Sequence, residues 1–158
     1  MEHKIIKKGN FIVVGKMIET SEKREQQFQD ILNFWDESFE NNYCSLLSKH
    51  RSELGVMGLN FGRNRKTGRI KYMIGIEKPN VDLKVDGLKE VTIPASSWAV
   101  FKDKGKLPDK MIKLYKRIYN EWLPSVGYQH TKNPEIEKYS ACPGTREEER
   151  FEIWIPVI

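Results

Sequence analysis

The sequence predicts an α+β fold of two duplicated β-α-β-β units with pseudo-twofold symmetry. Their strands form an antiparallel sheet, with two main helices packed on one side around a central pocket. Three observations predict it. Strand-like runs rich in Val, Ile and aromatic residues occupy residues 11–19, 56–62, 69–78, 90–102, 135–141 and 151–157. Two other stretches carry apolar residues at three- and four-residue steps, the stripe of an amphipathic helix. The order strand–helix–hairpin then occurs twice, at a constant offset of 87. Phe11 falls on Trp98, Val13 on Val100, Phe28 on Tyr115, Ile31 on Ile118 and Trp35 on Trp122. The repeats cover about residues 8–80 and 88–158 of a single domain, 1–158.

In chain order, residues 11–19 form the first strand. Thr20-Ser21 can cap the helix that follows, and Glu22 and Glu25 suit its positive first turn. Its stripe is Phe28, Ile31, Leu32, Trp35 and Phe39, and Asn41-Asn42 can end it. Residues 43–54 read as a short second helix or an irregular link. Residues 56–62 and 69–78 flank the polar Arg63–Gly68 segment as a hairpin, and the stretch to about Gly87 is a connector. The second half opens with a strand over 90–102, in which Pro94 marks a start or an edge. Leu107-Pro108-Asp109 begins a helix with Pro in its first turn. Its stripe is Met111 or Ile112, Tyr115, Ile118, Tyr119 and Trp122, ending before Pro124 and Gly127. Residues 135–141 and 151–157 make a second hairpin around Pro143-Gly144-Thr145 and the Arg146–Arg150 run.

Bulk properties exclude several classes. No apolar run approaches a membrane span, and Met-Glu-His-Lys at the start carries no signal-peptide core, so the expected location is the cytoplasm and no membrane partner is expected. Cys44 and Cys142 are neither a disulfide framework nor a ligand pair, and are expected reduced. A net charge of +5 raises the question of nucleic acid. Yet the lysines are scattered, Lys113, Lys116 and Arg117 share a solvated helix face, and no helix-turn-helix or zinc-finger pattern accompanies them. Direct nucleic-acid binding is therefore not expected. His3, His50 and His130 are far apart with no metal spacing, so neither a metal nor a cofactor is expected. No nucleophile elbow or phosphate loop is present.

The candidate chemistry lies at the C-terminal end. In the final strand Phe151, Ile153, Ile155 and Val157 point one way, and Glu152 and Trp154 the other. A carboxylate in so apolar a segment must be paired, protonated or waiting for a cation. Either Glu152 looks onto a hollow, or it faces solvent or bonds a neighbouring Lys. On the preceding strand Glu135, Glu137 and Tyr139 alternate against Ile136 and Lys138, which makes Tyr139 a candidate neighbour of Glu152. Each aromatic side chain alone reads as core. Together, Trp35, Tyr72, Trp98, Trp122, Tyr139 and Trp154 are many flat side chains for one small domain. Aromatic walls with a carboxylate suit a lipophilic cation. The alternative is catalytic: Glu152 beside the Tyr139 hydroxyl could move a proton at a strained electrophile or a bound water.

Several segments carry a resemblance. They are Val14-Gly15, Phe34-Trp35-Asp36-Glu37, Tyr72-x-Ile74-Gly75-Ile76, Ile93-Pro94-Ala95, Trp98-Ala99-Val100-Phe101, Glu137-Lys138-Tyr139 and Glu152-Ile153-Trp154-Ile155-Pro156. With the duplication, the chain resembles the GyrI-like (gyrase-inhibitor-like) small-molecule-binding superfamily, which includes the effector-binding domains of AraC- and MerR-type bacterial transcription activators. The resemblance implies an aromatic pocket with an acid, often taking lipophilic cations. It makes Glu152 the acid, Trp154 its wall and Tyr139 close by, with Trp35, Tyr72, Trp98 and Trp122 enclosing the ligand. It also implies the alternative of a hydrolase of cyclopropane-bearing toxins using Glu152 and Tyr139. A first strand already under way at residue 11 leaves no DNA-binding segment. The expectation is a stand-alone binder that senses or sequesters amphipathic, cationic aromatic compounds in transcription regulation. A protein-interaction module, partnered with a transcription regulator or a topoisomerase such as gyrase, is the remaining alternative.

Overall fold

The structure is a computed structural model and describes residues 1–140, 142–143 and 148–158. Its strands are β1 (Lys4–Lys8), β2 (Phe11–Ser21), β3 (Val56–Asn64), β4 (Arg69–Glu77), β5 (Lys89–Ile93), β6 (Ser96–Gly105), β7 (Glu135–Tyr139) and β8 (Glu149–Val157). The helices are α1 (Arg24–Glu40), α2 (Tyr43–His50) and α3 (Asp109–Arg117), the last running on through a π turn (Ile118–Trp122) and a final turn (Leu123–Ser125). All eight strands join one antiparallel sheet in the order β1-β6-β8-β7-β3-β4-β2-β5. That order is palindromic when β2 is exchanged with β6, β3 with β7, β4 with β8 and β5 with β1. The predicted pseudo-twofold axis therefore falls between β3 and β7.

Two differences from the sequence reading concern edges. Residues 4–8 form a strand, β1, where the first strand was expected to begin at residue 11. The run 90–102 is two strands, because Pro94 lacks the N–H a continuous ladder needs. The extra strands occupy equivalent sites, β1 beside β6 and β5 beside β2. Capping also differs: buried Thr20 donates to Asp30 at 2.7 Å, and Ser21 accepts the Lys23 N–H, one residue before α1. The helix that begins with α3 does not stop before Pro124. The π turn shifts the backbone pairing so that Leu123 N–H bonds Ile118 C=O, and the chain continues helically to Ser125. Of the turn expected around Pro143-Gly144-Thr145 and the Arg146–Arg150 run, residues 144–147 lie outside the described residues.

The faces of the sheet bury different cores. One holds Val14, Tyr72, Ile74, Phe101, Tyr139, Phe151, Ile153 and Ile155 beneath residues from all three helices. The other holds Val13, Met57, Leu59, Met73, Trp98, Val100, Ile136 and Trp154, contributed almost wholly by strands. The helices thus sit on one side, as the sequence predicts. The cysteines correct it. Cys44 at the start of α2 is disulfide-bonded to Cys142, which follows β7, across Cα atoms 5.7 Å apart. The two residues are far apart in sequence, and only the folded topology brings them together.

Candidate functional site

The stripe of α1 does not pack solidly. Phe28, Ile31 and Leu32 are only half buried and Phe39 is 43% exposed, although all are large and apolar. They face a cavity of about 1040 Å³ over the sheet, closed on the far side by Met111, Ile112 and Tyr115 of α3 and Tyr119 of its π turn. The volume is ample for a drug-sized molecule. Two amphipathic helices held apart by the pseudo-twofold axis thus present apolar faces to each other across a gap.

Strand β7 supplies the floor. Glu135, Glu137 and Tyr139 share one face and all line the cavity. Glu137 is 7% exposed and accepts three hydroxyl hydrogen bonds. Tyr72 donates to Oε1 at 2.7 Å, Tyr139 to Oε1 at 3.1 Å and Tyr115 to Oε2 at 3.2 Å. Trp35 Nε1 donates to the Tyr72 oxygen at 3.0 Å, which orients that hydroxyl toward the carboxylate. Gly58 lies opposite Glu137 on β3, and its missing side chain is the space through which Tyr72 reaches across. Trp35 also meets Tyr139 edge to face, with centroids 5.4 Å apart.

Burial pushes the Glu137 carboxyl above its ordinary range, opposed by the hydrogen bonds from Tyr72, Tyr139 and Tyr115. Burial, and then the charge of Glu137, push all three tyrosines well above theirs, so they remain hydrogen-bond donors at physiological pH. Among the described residues no Lys, Arg or His forms an ion pair with Glu137. The site is therefore a buried acid held by neutral donors, open to a hollow walled by rings. Among the described residues no group of three or more His, Cys, Asp or Glu could hold a metal ion.

The sequence-predicted site residues divide. Trp35 and Tyr139 line the cavity and Tyr72 stands behind Glu137. Glu152, Trp154 and Trp98 do not line it. The alternation proposed for β8 is correct, but Phe151, Ile153 and Ile155 occupy the cavity side, which turns Glu152 and Trp154 to the opposite face. There Glu152 accepts Trp154 Nε1 at 2.9 Å and pairs with Lys138 at 3.7 Å, its partner in register. Bonding to a neighbouring Lys is the alternative left open above. Trp98 is fully buried against Trp154, with centroids 5.8 Å apart. Trp122 joins the helix-side core, edge-on to Phe101 at 4.9 Å, without lining the cavity. Because Glu152 and Tyr139 lie on opposite faces, they cannot act as a catalytic pair. Glu152→Gln is expected to change unfolding by no more than about 1 kcal/mol, a few degrees in Tm, as for a partly exposed pair. Calorimetry checks this, and a larger loss would give Glu152 a heavier structural role.

Sequence reasoning missed Glu137 and Tyr115 as site residues. The signal for Glu137 was the Glu-x-Glu-x-Tyr alternation of β7, which already put it on the Tyr139 face.

A sheet carrying its helices on one face, with an acid-floored aromatic cavity between two pseudo-equivalent halves, defines a GyrI-like effector-binding fold. The chain belongs to the Cass2 family of integron-associated effector binding proteins, whose family model matches residues 4–157. Solved structures share the fold. SAV2435 bound to tetraphenylphosphonium is 23% identical over 100% of this chain and 94% of its own, with TM-score 0.80. An integron cassette protein from the mobile metagenome of Vibrio cholerae is 18% identical over 99% and 95%, with TM-score 0.74. EcmrR in its DNA complex is 14% identical, matching 99% of this chain to 57% of its own, with TM-score 0.61. No curated protein matches the chain. No helix among the described residues is long and apolar enough to cross a membrane.

Proposed function

We propose that the chain binds amphipathic, cationic aromatic compounds in the cavity above β7, with Glu137 as counter-charge. The observation that carries this is a carboxylate buried among aromatic rings, given three neutral donors and, among the described residues, no ion-pair partner. Burial of such a group without an opposite charge is unfavourable, so a ligand that brings one gains what the empty protein lacks. Delocalised cations fit best: they are cheaply stripped of water, and ring faces such as Trp35 and Tyr115 attract them. The tetraphenylphosphonium held by the SAV2435 fold is a compound of this kind. Sensing or sequestration in the cytoplasm, coupled to a transcription regulator, is the role we infer. The fold match to part of EcmrR in its DNA complex supports that coupling.

The test is calorimetric titration with tetraphenylphosphonium beside triphenylphosphine oxide, a smaller neutral relative. The cation is expected to bind at least about tenfold more tightly, as for one desolvated charge pair. Equal affinities, or no binding of the cation, would overturn the reading.

A further inference from the structure

Glu135 precedes Glu137 by two residues, so both side chains leave the same face of β7, roughly 7 Å apart along the strand. The helix opposite matches this step. Tyr115 donates to Glu137 and Tyr119, one turn on, donates to Glu135, and their rings stack with centroids 6.5 Å apart at 17°. The two acids differ in their remaining partners. Glu137 has only hydroxyl donors, whereas Glu135 also meets His130 Nε2 at 3.0 Å. The imidazole stacks on Tyr119 with centroids 6.2 Å apart, and its Nδ1 is held at the Thr131 carbonyl. The Glu135 and His130 side chains are 18% and 25% exposed, which puts them nearer the mouth than Glu137.

We propose that Glu135 is a second cation station in the same cavity, neutralised by the His130 imidazolium in the empty protein and by the second positive centre of a dicationic ligand in the complex. This rests on the reading of Glu137 given above. A lysine or arginine on Glu135 would have closed the station permanently, whereas an imidazole can surrender its charge near neutral pH. The groups facing His130 are Glu135 from β7, Tyr119 from the π turn after α3, Arg63 from β3 and the Thr131 carbonyl. The hydrogen bond and charge of Glu135 raise the imidazole above its ordinary value, while burial and Arg63 oppose them. The sign follows. At low pH a dication must displace an imidazolium from Glu135. At high pH it meets a carboxylate with no opposite charge on the imidazole, so preference for dications over monocations grows with pH.

Ethidium and propidium share one ring system, and propidium adds a quaternary ammonium on a three-carbon arm. Both charges are fixed, so the ratio of their affinities cancels any titration of Glu137. At about pH 9 propidium is expected to bind about tenfold more tightly, falling to about twofold or less near pH 5.5. His130→Gln should keep the high ratio at both pH values. Glu135→Gln should bring the ratio near unity at both, with a wild-type-like cooperative thermal unfolding transition serving as its control for folding. A wild-type ratio that does not change with pH, or one that Glu135→Gln leaves intact, overturns the proposal. Ethidium binding with no propidium preference overturns this proposal alone. Failure of the wild-type protein to bind either dye overturns the Glu137 reading with it.

Discussion

Glu137→Gln is expected to lower affinity for tetraphenylphosphonium about a hundredfold, some 2–3 kcal/mol, while changing that for triphenylphosphine oxide less than about threefold. The asymmetry is the informative part. Glutamine keeps the shape of the floor and an oxygen to accept from Tyr72 and Tyr139, so walls and volume are preserved. What is lost is the charge, while the Tyr115 hydroxyl turns from donor to acceptor against the amide N–H. In bulk water a single charge pair is worth little, but a 7%-exposed carboxylate under a lipophilic ligand acts in a poorly screened setting. Parallel titrations of Glu152→Gln separate Glu152 from Glu137. That variant should bind the phosphonium within about twofold of wild type, because Glu152 lies across the sheet from the cavity. Equal losses for the cation and the neutral compound in Glu137→Gln would remove charge pairing from the account.

The same substitution should stabilise the empty protein, with a definite pH sense. Burial raises the folded-state value of Glu137 above its ordinary 4.5, so the folded protein holds that proton more tightly than the unfolded chain. This contribution to stability is complete below 4.5 and is lost as pH rises through the raised folded value. Glutamine cannot ionise and escapes that loss. The Tm of Glu137→Gln relative to wild type should therefore climb as pH rises above 4.5, a trend that calorimetry across pH reads out. A gap that closes with rising pH would mean the ionised form is the better accommodated one. A binding acid that weakens its own fold is the pattern of a site whose partner arrives from outside.

Repeating patterns made the fold legible, and the same patterns misplaced the acid. The offset that sets Phe11 on Trp98 and Trp35 on Trp122 reads as two equivalent halves, and the strand order is palindromic, as two such halves require. Period-two alternation sorts side chains into two sets without naming the face each set meets. For β8 the reading gave the hollow to Glu152 and a plain core to Phe151, Ile153 and Ile155. Register decides the matter: Ile153 pairs with Glu137 and Glu152 with Lys138. A cavity-facing Tyr139 brings Glu137 with it by alternation, and the register sets Lys138 beside Glu152 on the other face. Phe28, Ile31 and Phe39 carried a subtler difficulty, since a stripe facing a gap and one packed into a core have the same period. The Cys44–Cys142 pairing was legible in neither way, because no local pattern joins two residues that only the sheet order brings together.

Gly58→Ala is expected to destabilise the protein by about 2–4 kcal/mol and to abolish phosphonium binding in whatever fraction remains folded. A methyl group there would stand 2.9 Å from Glu137 Oε1 and 2.8 Å from Tyr72 Cζ, and nearer still to the Tyr72 oxygen. The tyrosine has nowhere to retreat. It is fully buried, its oxygen is fixed by Trp35 Nε1 on one side and Glu137 on the other, and Phe34 lies edge-on to its ring. The backbone at residue 58 takes no positive φ, so the penalty comes from the crossing hydroxyl and not from the conformation of the chain. That origin makes the effect reversible by a second change. Tyr72→Phe removes the crowded oxygen and should recover about 1 kcal/mol or more of the loss in Gly58→Ala, a clear coupling in a double-mutant cycle. In the wild-type background Tyr72→Phe should itself be destabilising, since it leaves Trp35 and Glu137 each short of a partner. Additive costs for the two substitutions would show that Gly58 serves the strand alone and that the Tyr72–Glu137 bond does not depend on the gap it leaves.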